Sequence, residues 1–599
     1  YGGATRGAAK TNVYDGTRLK SVLPSRLGID AQSTVAWREK GFFDVLSAGR
    51  ADQSLLLRLT RLRQQHGQAQ PNKQAAESLV CPVELTDPRL DDPEKLQALG
   101  MPYGLPALSD SEIDAIESWI AQGAKGPATT ARDSARSLPK NSETGVRAWE
   151  EFLNASGRRE ALVSQYIYEH LFLAHLHFSA DRDRDQPAGG AVPPAQKTHF
   201  FRLVRSRTHC DAGIDEIATR RPADTVGSGP MFYCLAPVEQ VIVEKTHIPY
   251  ALSAAKLERL RNLFLSGDWN VAEGVFKSAE DDPNPFRRFA DIPVRARYQF
   301  LLDDAHYHIA TFIKGPVCNG SSAVNSIQEQ FFVFFLAPGA DSMVLLPSFS
   351  AAAESKLKLP GEYGSDVGIA QDLGLLKRIV DYRESYRRLR ADSVRRLRPS
   401  GYSLTDIWDG DGDNPNAVLT VFRHYDNAAV VRGAVGDLSK TAFVLDYALF
   451  ERLVYNLVVD FDVFGNVGHQ FLTRVYMDLI RMEAEELFLS FLPAADRTKL
   501  RSAWYKGGLL TDIKMNIVFP ITNLDVPTGV KFTSGSPKQE FVERVLFERL
   551  SPAARGAADP INWRALRAPS GMQAVSRMTA AEEVLRKMAS TPAVDATPF

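Results

Sequence analysis

The sequence predicts an α+β protein in two unequal parts, a helical part over residues 1–127 and a large mixed part over residues 128–599. The first observation behind this division is length, because 599 residues exceed what one hydrophobic core normally organises. The second is the segment 125–142 (KGPATTARDSARSLPKNS), which has no apolar periodicity and is typical of a linker. The third is the alternation of helix-like and strand-like patterns after residue 145.

Composition and charge exclude several classes of protein. The chain is 44% apolar and 24% charged, as expected of a globular protein. Its 71 Lys and Arg against 72 Asp and Glu give a net charge of −1, which argues against a nucleic-acid binder. No apolar run reaches the roughly 18 residues of a membrane-spanning helix. The sequence has no Gly-x-Gly-x-x-Gly after a strand, no Walker loop and no Gly-x-Ser-x-Gly, which argues against nucleotide enzymes and serine hydrolases.

The N-terminal part is predicted to be turn-rich over residues 1–47, with a short helix around 36–46, and loop-heavy over 48–100. Residues 110–122 are predicted to form an amphipathic helix. Ser109 and Glu112 have the spacing of a capping box, and Leu108 and Ile113 that of a hydrophobic staple. The apolar face of this helix consists of Ile113, Ile116 and Ile120, with Trp119 beside them. Gly123 is predicted to end the helix in a left-handed conformation.

A Met-Pro loop precedes this helix and suggests a haem ligand. Met101 is followed by Pro102 and Pro106, and a stiff loop can hold a thioether at a fixed distance from a helix. Methionine is a common axial ligand of haem iron, although it also fills gaps in cores, and both interpretations stay open. Loop and helix together are typical of the closing half of a cytochrome-c-like domain. Met101, Tyr103 and Trp119 are therefore the predicted haem-binding residues, with Met101 the possible iron ligand.

Covalent haem attachment requires Cys-x-x-Cys-His. The chain has four cysteines, and none lies in that motif: Cys81, Cys210, Cys234 and Cys318. The first part of the haem domain, with its attachment motif, is therefore expected upstream of Tyr1. Four cysteines leave room for one or two disulfides, so cysteine content alone does not decide the compartment.

The large part is predicted from periodicity. A long helical pattern covers residues 145–178, and further helical patterns cover 253–267, 371–398 and most of 441–492. Strand-like runs lie at 199–207, 239–247, 297–302 and 307–314, and a strand pair lies within 417–436. The Arg-rich helix 371–398 is interpreted as a solvated face, with a phospholipid headgroup surface as the alternative use of its charge. No repeat of fixed period is visible.

Two stretches supply the predicted catalytic residues. In EHLFLAHLHF, a straight helix would place His170 and His177 on one face, whereas a strand beginning after Ala174 would align His175 with His177. These histidines are interpreted either as core residues or as a polar patch in an apolar pocket.

In the second stretch, 456–478, two glycines break an apolar helix near Asn466, His469 and Arg474. This break indicates either a cavity wall or a capped helix corner. The candidate catalytic residues are thus His170, His175, Asn466 and His469. A weaker candidate is VFRHYD at 421–426, whose alternative is an ordinary solvent-facing strand.

Several stretches together resemble one family, the bacterial fatty acid cis/trans isomerases, which are periplasmic c-type haem enzymes. They are YDGTRLKSVLPSRLGIDAQSTVAWREKGFFDVL (14–46), GMPYGLPALS (100–109), YIYEHLFLAHLHF (166–178), IATRRPAD (217–224), VEKTHIPY (243–250), RYQFLLDDAHYHIATFIKGPVCNG (297–320), DFDVFGNVGHQ (460–470) and FPITNLDVPTG (519–529).

The resemblance implies an isomerase that converts cis double bonds of unsaturated membrane acyl chains into trans bonds without moving them. It also implies haem c, a periplasmic location, peripheral contact with the periplasmic face of the inner membrane, and a role in the response to solvent and heat stress. A ferric haem would withdraw electron density from the alkene. The aromatic runs at 331–338 and 487–493 have the composition of an acyl-chain slot, although such runs are usually core.

Three alternatives remain open from sequence. The chain is a haem-bearing redox or electron-relay protein, or a haem-free lipid-binding protein. The third alternative keeps the isomerase activity but replaces the haem by a thiyl radical on Cys318 or Cys234, with no neighbouring residue that would activate either thiol.

Overall fold

The computed structural model describes the ranges 45–47, 49–66, 100–102, 106–125, 140–178, 199–217, 219–238, 247–272, 278–314, 330–365, 369–424, 427–462, 465–504 and 526–556, with the single residues 242 and 563. The chain divides into two compact units, Tyr1–Pro139 and Lys140–Phe599. Each unit is described by itself below.

Unit 1 contains helices α1 (Leu55–His66) and α2 (Asp110–Ala121). The two helices share a small core of Leu57, Ile113 and Ile120. Ser109 and Glu112 form the predicted capping box, and Gly123 adopts a φ of 92°. The prediction for α2 is therefore confirmed. The loop-heavy prediction for 48–100 is wrong at α1, where the leucines of LLLRLTRLRQQH bury one face, while Arg58 and Arg61 are partly exposed and Arg63 is buried.

Unit 2 contains fourteen further helices among its described residues. They are α3 (Lys140–Leu153), α4 (Arg158–Leu171), α5 (Ala254–Leu265), α6 (Pro285–Arg288), α7 (Val294–Asp303), α8 (Ala305–Lys314), α9 (Ser342–Leu345), α10 (Pro347–Glu354), α11 (Ile369–Leu397), α12 (Tyr447–Val454), α13 (Val467–Ser490), α14 (Ala494–Trp504), α15 (Pro537–Arg544) and α16 (Pro552–Arg555). Two π-helical turns follow α12 and α15 directly, at Tyr455–Val459 and Val545–Arg549.

Two four-stranded mixed sheets complete unit 2. Sheet 1 contains β1 (His175–Phe178), β2 (Phe200–Ser206), β3 (Phe232–Pro237) and β4 (Pro249–Leu252), in the order β3-β2-β1-β4. Sheet 2 contains β5 (Gln330–Phe335), β6 (Val418–His424), β7 (Asn427–Arg432) and β8 (Ala442–Leu445), in the order β7-β6-β5-β8.

The two sheets have the same topology. In each, the first strand pairs antiparallel with the second and parallel with the fourth, and the second pairs antiparallel with the third. A helix pair precedes the first strand in both cases, α3–α4 before β1 and α7–α8 before β5. A capped helix follows the fourth strand in both cases, with Ser253 capping α5 and Asp446 capping α12. Unit 2 therefore contains two equivalent halves that no sequence repeat revealed.

The strand predictions at 297–302 and 307–314 are wrong, because these residues form helices α7 and α8. Helix α8 is buried almost all round, and α7 is open along one edge, at Arg295, Gln299 and Asp303. In both helices apolar and polar residues alternate over several positions, with Ala296, Tyr298 and Phe300 in α7 and Ala305, Tyr307 and Ile309 in α8, which imitates the two-residue period of a strand. The missed strands β5 and β8 are instead continuous apolar runs, which do not distinguish a buried strand from a buried helix.

Other predictions for unit 2 are confirmed in outline. The helices at 253–267 and 371–398 correspond to α5 and α11, the strand at 199–207 to β2, and the strand pair within 417–436 to β6 and β7. The pattern 145–178 divides into α3, α4 and β1, so the chain does turn to strand after Ala174. Most of the run 239–247, the helix predicted around 36–46, and Cys81 and Cys318 lie outside the described residues. Among the described helices, none combines the length and apolarity needed to cross a bilayer.

Candidate functional site

The centre of unit 2 holds a buried polar cluster in which His170 is the first member. His170 lies in the last turn of α4 with no solvent exposure. Its Nδ1 is 2.8 Å from the carbonyl oxygen of Tyr166, and its Nε2 is 3.4 Å from Oε2 of Glu451 on α12. A carbonyl only accepts hydrogen bonds, so Nδ1 carries a hydrogen. In the neutral ring Nε2 then carries the lone pair, and it faces the Glu451 carboxyl group, whose Oε2 accepts a hydrogen bond from the Tyr166 hydroxyl at 3.0 Å.

His308 on α8 faces His170 from the second half of the unit. The two imidazole centroids are 5.8 Å apart in an edge-to-face arrangement. Phe300, Tyr307 and Phe450 contact the His308 ring. Neither ring nitrogen of His308 has a hydrogen-bond partner among the described residues. Burial, followed by the nearby His170, lowers the pKa of His308 well below 6.5, so His308 is neutral at pH 7.

A buried ion pair lies beside the histidines. Oε2 of Glu169 accepts hydrogen bonds from Nη2 of Arg288 and from the hydroxyl of Tyr455, each at 2.8 Å. Gln165 donates to the other carboxylate oxygen at 3.0 Å. Burial alone would lower the pKa of Arg288, but the adjacent carboxylate of Glu169 outweighs burial and raises it. Arg288 and Glu169 therefore neutralise each other inside the core.

The π-helical turn Tyr455–Val459 connects this pair to a second buried carboxyl group. The N–H of Asp460 donates to the carbonyl of Tyr455 at 2.8 Å and closes the turn. Asp460 is only 3% exposed, and its Oδ2 has no hydrogen-bond partner among the described residues. Burial raises the pKa of Asp460 to about 7. Gly361 permits the close packing here, since a Cβ on it would lie 2.5 Å from Cβ of Asp460.

Asp462, His469 and Asn466 form a corner at the start of α13. The Asp462 N–H donates to Nε2 of His469 at 3.0 Å, so Nδ1 carries the hydrogen and donates to the carbonyl of Gly364 at 3.1 Å. Burial is the main cause that lowers the pKa of His469. The side chain of Asn466 caps α13 by accepting from the His469 N–H at 3.0 Å. Arg220 pairs with Asp462 at 2.7 Å.

The structure thus brings together the two stretches that the sequence singled out. Glu169 precedes His170, and Tyr455, which bonds to Glu169, begins the turn that leads to Asp460 and the His469 corner. His175 takes a different position, on β1, where its ring contacts His247 at a centroid distance of 4.7 Å. Its neighbour on the same face, His177, packs against Phe200.

Sequence reasoning missed four residues of the cluster: Glu169, Arg288, His308 and Glu451. A usable signal was present, because Glu451 lies within the apolar run YALFERLVYNLVV and charged residues are rarely buried without a partner. The partner itself was not visible in the sequence, since Glu451 and Tyr166 are separated by 285 positions.

Unit 1 contains Met101 and Trp119, two of the three predicted haem-binding residues. The Met101 N–H donates to the carbonyl of Leu59 on α1 at 3.0 Å, which anchors the loop, and the Met101 side chain is only half buried. A thioether has the donor chemistry of an axial haem ligand, and Met101 is placed in a loop anchored to α1. Trp119 is 41% exposed, and its indole N–H donates to the carbonyl of Lys125 at 2.9 Å. Tyr103 lies outside the described residues.

The described cysteines form a disulfide, Cys210–Cys234, between the loop after β2 and strand β3. Within the described part of the chain, Glu150 and these two sulfurs are the one group of three potential metal ligands. Both sulfurs are bonded to each other and so are not thiolate ligands, and Oε1 of Glu150 accepts from the Leu235 N–H at 2.9 Å. Cys234 is therefore not a free thiol, which removes it as the source of a thiyl radical.

Comparison with known proteins yields one match. A family model described as fatty acid cis/trans isomerase matches residues 22–598. No curated protein and no solved structure is detectably similar to the chain.

Proposed function

The chain belongs to the fatty acid cis/trans isomerase family, and on this premise we propose that it isomerises membrane-lipid acyl chains without moving the double bond, with the help of a haem, in the periplasm. The family defines the enzyme as an isomerase of double bonds in unsaturated fatty acids. The lipid-bound form of the substrate, the retained bond position, the haem and the compartment are our proposals.

The hydrogen bonding of the candidate histidines carries the proposal of a retained bond position. Migration of a double bond needs a base whose lone pair can take an allylic proton. In His469 that lone pair accepts the Asp462 N–H, and in His170 it faces the buried carboxyl group of Glu451 at 3.4 Å. Neither of these two histidines is therefore a free base, whereas His308 has no hydrogen-bond partner among the described residues and is the histidine of the cluster left to test. Rotation about the existing bond is the chemistry that we propose.

The experiment supplies phospholipid vesicles with cis-unsaturated chains to the full-length gene product in D₂O. Gas chromatography separates the cis and trans esters, and mass spectrometry of derivatised products locates the double bond and detects deuterium. We expect trans product with the original bond position and no deuterium. Deuterium in the chain, or a shifted bond, overturns the proposal, and a haem protein without turnover indicates the redox alternative.

The proposed haem is supported by Met101, which would hold it through its thioether. A bound ferric haem supplies an acceptor of electron density that weakens the π bond of the alkene. The protein's own contribution is the anchored loop, in which Met101 bonds to Leu59 and Gly100 packs against the backbone of Arg63.

A haemochrome assay of the full-length gene product measures covalent haem, and Met101→Ala tests the ligand. We expect the variant to retain covalent haem and to change the ferric absorption spectrum. An unchanged spectrum excludes Met101 as the ligand, and absence of covalent haem from the full-length protein overturns the cofactor proposal.

The disulfide Cys210–Cys234 supports the proposed periplasmic location, because disulfides persist in oxidising compartments and are rare in the cytosol. Thiol labelling of protein from separated cell fractions tests this location. We expect the protein in the periplasmic fraction with both cysteines protected until a reductant is added. Recovery from the cytosol with free thiols contradicts the proposal. Activity that survives Cys318→Ala removes the remaining thiyl-radical alternative.

A further inference from the structure

Helix α11 has a neutralised inner face. It spans 29 residues, which is about 43 Å at 1.5 Å per residue. Three of its arginines pair with carboxylates of neighbouring elements: Arg383 with Glu483 at 2.8 Å, Arg387 with Glu486 at 2.6 Å, and Arg390 with Asp446 at 2.9 Å. The fold therefore uses these inner cations for packing.

The opposite face of α11 carries a surplus of positive charge. We call this the outer face, and its exposed side chains recur at helical spacing: Lys377, Arg378, Asp381, Tyr382, Ser385, Arg388, Asp392, Arg395 and Arg396. Five cations against two anions give a net charge of +3 (5 − 2). The whole chain has a net charge of −1, so the charge of this face is a local excess.

Three cations of the outer face have no ion-pair partner among the described residues: Lys377, Arg378 and Arg396. Arg388 and Arg395 pair within the helix, with Glu384 and Asp392. Tyr382, at 38% exposure, lies at the edge of this face, and Leu397 is 39% exposed at the C-terminal end of the helix. Fixed cations interspersed with an aromatic and an aliphatic side chain are the composition of a helix that lies on a lipid surface.

We propose that the outer face of α11 binds the surface of an anionic phospholipid bilayer, with the helix parallel to the membrane plane. The proposal rests on the proposed function, which requires access to membrane lipids. The unpaired cations contact phosphate groups, and Tyr382 at the edge of the face enters the headgroup layer. A second copy of the chain is the weaker occupant, because a two-fold contact would bring the same positive face against itself.

Helix α13 packs beside α11. Leu375 of α11 packs against Leu472 of α13, and the adjacent Phe471 is 44% exposed. Large exposed apolar side chains are few among the described residues of unit 2, and three of them belong to these two helices or their ends: Tyr382, Leu397 and Phe471. The apolar side chains and the cations therefore occur together on one packed helix pair.

The test uses full-length protein with phosphatidylcholine vesicles that either contain or lack phosphatidylglycerol. The variant Lys377→Glu/Arg378→Glu/Arg396→Glu reverses the unpaired cations. A matched control, Arg295→Glu/Lys499→Glu/Lys531→Glu, reverses three exposed cations on other helices and loops of unit 2. Circular dichroism and thermal unfolding verify that both variants are folded.

Wild type and control are expected to sediment with the anionic vesicles and to be released by salt. The α11 variant is expected to bind at least about tenfold more weakly, since each cation near an anionic surface contributes about fivefold. Equal binding of variant and wild type, or equal binding of wild type to both vesicle types, overturns the proposal. A change in oligomeric state of the variant in the absence of lipid also overturns it, in favour of a second copy.

A second measurement separates this proposal from the proposed function. Turnover of a detergent-solubilised cis fatty acid does not require the bilayer surface, so we expect the α11 variant to match wild type there and to fall behind on anionic vesicles. Absence of turnover by wild type on both substrates would refute the proposed function alone, while the sedimentation assay would still decide the role of α11.

Discussion

The two halves of unit 2 share one strand order but differ in how their sheets are buried. In sheet 2, every residue from Phe331 to Phe335 is 0% exposed, whereas in sheet 1 Phe200 and His177 are half buried and Ala251 is exposed. The comparison shows that strand order does not determine which faces of a sheet are covered. Burial follows from the elements packed on it, and β5 accordingly has the continuous apolar run of a strand covered on both faces.

The two halves also contribute histidines that differ in their hydrogen bonding. Each comes from the helix that precedes the first strand, His170 from α4 and His308 from α8. His170 uses both ring nitrogens, whereas neither nitrogen of His308 has a partner among the described residues. Equivalent positions in the fold therefore carry different chemistry. Substitutions in and around the two halves measure how much each of these differences contributes.

The largest effect is expected from the cores of the two sheets. Phe332→Ala is expected to lower the free energy of unfolding by about 3–5 kcal/mol, because it removes a fully buried ring that packs against Trp563. Phe200→Ala in sheet 1 is the matched change at a half-buried ring and is expected to cost about 1 kcal/mol. Urea unfolding measures both, and equal losses would contradict the described difference in burial.

Glu169→Gln is expected to cost about 3 kcal/mol. The amide oxygen can still accept from Arg288 and Tyr455, but the buried guanidinium loses its counter-charge. The control is Glu216→Gln, which changes the partly exposed pair with Arg202 and is expected to cost less than about 1 kcal/mol. Chemical denaturation at neutral pH compares the two, and a small loss for Glu169→Gln would mean that Arg288 is not buried with its charge.

Asp460→Asn is expected to stabilise the protein at high pH. The pKa of Asp460 is raised by burial from 3.8 to about 7, so the folded state holds its proton over that interval while the unfolded state has released it. Its contribution to stability is therefore present at low pH and is lost as pH rises through about 7. We expect a gain of about 2 kcal/mol at pH 8 and almost none at pH 4. Thermal unfolding across that range would refute the assignment if the gain did not vary with pH.

The two central histidines should respond oppositely to leucine. His170→Leu is expected to cost about 2 kcal/mol because it removes the polar contacts of the buried ring with the Tyr166 carbonyl and the Glu451 carboxyl group. His308→Leu is expected to be neutral or to gain about 1 kcal/mol, since it removes two buried polar nitrogens that make no hydrogen bond among the described residues. Unfolding curves measure the stability of both variants. If His308 is not an allylic base, His308→Leu forms the same product as wild type, and product analysis tests this.

The smallest effect concerns the caps after the fourth strands. Ser253→Ala is expected to cost about 1 kcal/mol, since its side chain caps α5 by accepting from the Lys256 N–H at 3.0 Å. Asp446→Ala at the equivalent position is expected to cost more, because Asp446 caps α12 and also pairs with Arg390 at 2.9 Å. Equal losses at the two positions, measured by urea unfolding, would show that the Arg390 pair contributes nothing.

The sequence predicts what neighbouring residues decide and misses what distant residues decide. Helix α2 was predicted to within a residue because Ser109, Glu112 and Gly123 mark its ends locally. Helices α7 and α8 were mistaken for strands because apolar and polar residues alternate over part of each, as at Ala296, Tyr298 and Phe300. The sequence identified His170, Asn466 and His469 as site residues. The contacts of the two histidines with Glu451, Asp462 and Gly364 depend on the fold, and these contacts decide whether a ring nitrogen is free to act as a base.

The π-helical turn Tyr455–Val459 has a consequence for how length variation can be accommodated in this region. A π-helical turn contains one residue more than the α-helical turn it replaces, so deletion of a single residue here would restore regular α-helix without any loss of apolar character. The wider turn absorbs that extra residue, so the side chains that follow would keep their directions around the helix axis. A relative one residue shorter here would therefore keep Asp460 in the same place, and a one-residue gap between related chains belongs within Tyr455–Val459.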